Sequence, residues 1–167
     1  MPTPMGKSMA RAQTEQAGEF LAQTVQTLSD YLNETTLSSL EAEEPGSRDY
    51  YRDVLSNLRK LAVYCEEGLL ACRIRLKQVP FQDAAAERTL YQIYHRCIEE
   101  FFTPKKDTWY EDSRAAYTGK NAICFHEPAP ASLKNLMASL ETEYQSMREE
   151  LEYYATDYRM KMVQPRS

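Results

Sequence analysis

The sequence predicts an all-α fold: an elongated four-helix bundle with an ordered irregular or short β-hairpin insertion before the last helix. Three observations carry this. Leu133, Met137, Leu140, Tyr144, Met147, Leu151, Tyr154 and Tyr158 recur at alternating steps of four and three, which marks one long amphipathic helix with a bundle-type seam. Three earlier segments offer apolar faces of the same kind, separated by prolines and polar clusters. The chain of 167 residues suits one domain with one sizeable core, with residues 1–6 and 163–167 as flexible tails.

The first helix is expected from near Lys7 to near Leu32, with Ala17, Phe20, Leu21, Thr24, Val25, Leu28, Tyr31 and Leu32 on one side. Asn33 to Gly46 then connects, with a helical turn at Leu37 and Leu40 and a solvated acidic run from Glu41 to Glu44 before Pro45. Ser47 is the expected N-cap of a second helix from Arg48 to about Lys77, with Asp49 in its first turn. Val63, Leu70, Ala71 and Ile74 spread apolar surface round its later half, so this helix is expected to be the most buried, and Gly68 to mark a close backbone approach.

After Pro80, Asp83 is the expected cap of a third helix, through Ala84 to about Phe102, with Leu90, Ile93, Tyr94, Cys97, Ile98, Phe101 and Phe102 inward. Pro104 ends it. The fourth helix starts near Ser132, behind Pro128 and Pro130, and runs to about Met162.

The formal net charge of -5 opposes a general affinity for phosphate backbones or anionic membranes, so nucleic acid and membrane are not expected partners. The start of the chain lacks the apolar run of a signal peptide, so a cytoplasmic protein is expected. Cys65, Cys72, Cys97 and Cys124 lack the paired spacing of a disulfide framework and read as reduced.

The segment from residue 103 to residue 131 is too long for a passive connector and too aromatic for disorder. Trp109 and Tyr117 are expected to pin it to the bundle, and Thr108 to Tyr110 and Ala122 to Phe125 have strand-like composition. Arg114, Lys120, Asn121 and His126 would face outward, so these four with Trp109 and Tyr117 form the expected binding surface.

Enzyme chemistries are less well supplied. Bundle di-metal sites need Glu-x-x-His pairs, which this chain lacks, and a zinc site from His95, Cys97, Cys124 and His126 is opposed by the roughly 200° between His95 and Cys97 on a helix. Neither metal nor cofactor is expected. Arg88 and His95, seven apart on the third helix, resemble loosely the motif of HEPN ribonucleases, although a solvated Arg and a His paired with Glu99 explain the same residues. Adjacent carboxylates such as Glu66 and Glu67 diverge by about 100° and cannot act on one bond.

The opening Gln-rich helix with Glu19-Phe20-Leu21-Ala22, the Tyr31-Leu32-Asn33-Glu34-Thr35-Thr36-Leu37 stretch and the Trp-containing segment before the last helix together resemble the YpuI-like uncharacterised proteins of Gram-positive endospore formers. The resemblance covers most of the chain and implies a bacterial cytoplasmic protein with no catalytic residues to carry over. The expected role is therefore a non-enzymatic interaction or scaffold protein with a protein partner, a homodimer being one form of it. The alternatives are a HEPN-like RNA-acting domain using Arg88 and His95, and a small-molecule pocket beneath the insertion.

Overall fold

A computed structural model describes residues 7–112 and 122–163. Helix α1 (Met9–Glu34) starts at Ser8, whose hydroxyl accepts from the Arg11 N–H, and it buries Ala17, Phe20, Leu21, Thr24 and Leu28 against α3 (Arg48–Lys77). The short α2 (Leu37–Glu43) lies between them and is opened by a reciprocal capping box of Thr36 and Ser39. Ser47 caps α3 as its position predicts.

The third helix is continuous but not uniform. Helix α4 (Asp83–Ile93) passes into a π-helical turn (Tyr94–Ile98) and then into α5 (Glu99–Phe102). The wider turn keeps Ile93, Tyr94, Cys97, Ile98, Phe101 and Phe102 all buried and aims His95 at the C-terminal segment. A two-stranded antiparallel sheet follows, β1 (Trp109–Glu111) with β2 (Ile123–Phe125), in the register Trp109 to Phe125 and Tyr110 to Cys124. Helix α6 (Ala131–Glu150) then closes the core through Leu133, Met137, Leu140, Tyr144 and Met147. The fold is thus all-α with a small β insertion before the last helical stretch, and among the described residues no helix is long and apolar enough to cross a membrane.

Five expectations are corrected. The seam from Leu133 to Tyr158 is buried throughout but is not one helix. The backbone leaves the helix at Leu151 (φ -102°, ψ 17°), forms a 3-10 turn (Glu152–Tyr154) and resumes as α7 (Asp157–Val163). Carbonyls freed by the break find side-chain partners: Gln13 Nε2 donates to Glu150 O at 3.2 Å, and His95 Nε2 lies 3.0 Å from Tyr154 O. Periodicity sees the stripe and misses the break because the 3-10 turn restores the same face.

Helix α3 is not apolar on all sides in contact. Val63, Leu70 and Ile74 are 52%, 60% and 48% exposed, because the neighbouring helices cover only the opposite side of its later half. Gly68 is crowded by side chains rather than backbone, since a Cβ there would lie 3.1 Å from Leu21 Cδ1 and 3.2 Å from Ile93 Cγ1. Asp83 begins α4 instead of capping it and accepts from the Ser8 hydroxyl at 2.6 Å. The acidic run is not merely solvated: Glu43 receives the Ser132 N–H and hydroxyl at the start of α6, and Glu41 pairs with Arg48.

Candidate functional site

The hairpin is fastened to the bundle by bonds from three helices. The Tyr50 hydroxyl donates to Thr108 O at 2.6 Å, and the buried Asn57 amide donates to Lys106 O and Thr108 Oγ1 at 2.8 Å each, all from α3. Trp109, 1% exposed, donates its indole N–H to Phe101 O at 2.7 Å, at the end of α5. Arg148 of α6 grips Glu111 with two nitrogens, at 2.8 and 2.5 Å, a bidentate pair only partly open to water. Glu141, also on α6 and 3% exposed, receives the Ala122 N–H at 3.2 and 3.0 Å on its two oxygens. Both strands are therefore held in place from below.

Between β2 and α6 the fastening leaves a cleft of about 520 Å³, open to solvent. One wall is the extended chain from Ile123 to Ala129, the other the α6 face with Lys134, Met137, Ala138 and Glu141. The walls are apolar where Met137, Ala138 and Phe125 stand, and Glu141 is the buried charge among them. At the rim, His126 Nε2 lies 2.8 Å from Asp107 Oδ1, and its ring leans on Tyr110 with centroids 4.8 Å apart. The neighbouring Cys124 sulfur holds the Tyr110 phenol above its ordinary range.

Of the sequence-predicted binding residues, Trp109 is a buried anchor and His126 a rim residue of the cleft. Arg114, Tyr117, Lys120 and Asn121 lie outside the described residues. Arg88 is exposed on α4, while His95 sits on the π turn with Nδ1 2.8 Å from Glu99 Oε1 and Nε2 on Tyr154 O, so both ring nitrogens already face acceptors. The pairing of His95 with Glu99 is the one its spacing predicts. Among the described residues no three His, Cys, Asp or Glu side chains converge as a metal site.

Sequence reasoning missed Glu141, Lys134 and Asn57. Glu141 had a signal: it follows Leu140 and stands one turn after Met137, on the flank of the buried stripe, where a carboxylate is desolvated unless the stripe ends there.

The family described as "Protein of unknown function (DUF3907)" matches residues 14–160. An uncharacterised protein of Bacillus subtilis (strain 168), YpuI, is 57% identical over 154 residues, which are 92% of this chain and 86% of that protein. No solved structure matches. The chain belongs to the DUF3907 family.

Proposed function

We propose, with that membership as the premise, that the protein is a cytoplasmic interaction protein whose partner docks in the cleft between β2 and α6. The observation that supports the reading is the cleft itself, an open space of about 520 Å³ whose two walls are locked to the bundle before any partner arrives. Preorganised walls lose little conformational entropy on binding, so the apolar contact they offer is available as affinity. The four free thiols, three of them buried, support a reducing compartment.

A photo-crosslinking amino acid placed at the exposed cleft residue Ala138, with the exposed α3 residue Arg59 as control, tests the reading in cells. Position 138 is expected to give a discrete protein adduct that position 59 does not. A cleft-filling Ala138→Trp substitution is expected to abolish the adduct formed from a crosslinker at Lys134 while changing stability by less than about 0.5 kcal/mol. Equal adducts from positions 138 and 59, or none from either, overturn the reading.

A further inference from the structure

We propose that the occupant of this cleft is an extended peptide segment of the partner, adding as a third strand to the outer edge of β2 with a basic side chain directed at Glu141. The inference rests on the docking reading above and gives it a chemistry.

The backbone supplies the first argument. His126 N–H donates to Thr108 O at 3.1 Å and Asp112 N–H to Ala122 O at 2.7 Å, so Cys124, the His126 N–H and the Ala122 carbonyl face β1. Antiparallel ladders alternate, which turns the N–H and C=O of Ile123 and Phe125 to the opposite edge. Among the described residues the sheet has no third strand, and both residues line the cleft. An edge of this kind is a template for another extended chain, and Pro128, which has no N–H, limits its length.

Charge supplies the second. Glu141 is 3% exposed, and among the described residues its two oxygens share one N–H, that of Ala122. An ionised carboxylate offers about four acceptor sites, and a buried one is costly until opposite charge meets it. A Lys or Arg side chain entering between β2 and Met137 meets that carboxylate with its stem on apolar wall. Lys134 stands seven residues earlier on α6, roughly 10 Å along the axis, and repels a cation there, which fixes the basic residue at the Glu141 end.

The test pans a displayed library of random heptapeptides on the full-length protein and follows a selected synthetic peptide by anisotropy and amide hydrogen exchange. Selected peptides are expected to share a Lys or Arg at one position. Replacing it by norleucine weakens binding about tenfold or more, and Glu141→Gln, which keeps an acceptor for Ala122, loses the same factor with no further loss on the norleucine peptide. Backbone methylation at alternate peptide residues abolishes binding, and exchange at the Ile123 and Phe125 amides slows. Peptides that bind the cleft with no basic preference, or without protecting those amides, overturn the inference and leave the docking reading standing. So does an empty selection when the crosslinker at position 138 still traps a folded protein. An empty selection with no adduct overturns both, and a concentration-dependent dimer that protects the same amides makes the occupant a second copy and overturns the peptide.

Discussion

Helix α6 buries two ionisable side chains three residues apart, Glu141 and Tyr144, and their surroundings have little in common. Tyr144 is fully buried, stacked on Phe101 at 4.0 Å and edge-on to Phe20 at 4.8 Å. Its hydroxyl lies 3.3 Å from Cys65 Sγ, Cys97 neighbours Cys65, and the Cys97 thiol donates to Tyr64 O at 3.3 Å. Both contacts end on groups inside the core, so Tyr144 and Cys97 are satisfied internally. Among the described residues Glu141 has one backbone N–H, and an open cleft lies beside it. A polar group whose partners all lie inside the core specifies packing, whereas one that borders solvent-filled space is where a ligand gains by arriving.

The largest expected effect concerns the closed end. Burial pushes the Cys72 thiol up to about 12 and holds Tyr144 well above the usual phenol range, while the Cys65 hydrogen bond, with burial, does the same for Cys97. A folded-state value raised above the unfolded one means that stability is complete below the unfolded value and is lost as pH rises. The melting temperature should hold up to about pH 9 and then fall steadily toward pH 12, at about 1.4 kcal/mol per unit for each such group. A flat profile across that range would show that water already reaches the cluster.

Next in size is Tyr144→Ala, expected to cost about 3–5 kcal/mol in urea unfolding through loss of the ring stack, against about 1 kcal/mol for Tyr144→Phe, which removes the hydroxyl alone. Equal losses would place the stabilisation in the hydrogen-bonded run and not in the ring. Smallest is Glu141→Leu, at about 1–3 kcal/mol and confined to the hairpin, because it strands the Ala122 N–H without opening the core. Faster amide exchange around Ala122 with unchanged protection in α3 would sharpen the contrast, and uniform loss of protection would break it.

The closed end was the legible one. Phe101, Cys97 and Tyr144 stand at helical spacing, and burial of a stripe follows from its period. Strand composition likewise placed β1 and β2 within a residue of their bounds. A pocket beneath the insertion was one alternative reading, but the walls of the cleft were not legible, since they depend on how far β2 stands from α6, a distance set by Trp109, Arg148 and Glu141 acting from different elements. The break at Leu151 escaped for a related reason. The partners that stabilise it, Gln13 and His95, are remote in sequence, and no local propensity announces them.

That aromatic stack has a consequence for a chain still being made. Phe20, Phe101 and Phe102 all meet Tyr144, with centroids 4.0 to 6.3 Å away, yet Tyr144 is added long after them. At roughly 5–20 residues per second, translation from Thr103 to Glu150 takes on the order of 2–10 s. For that interval the nascent helices hold three phenylalanines with no lid, so the newly made chain exposes apolar surface that the finished protein covers.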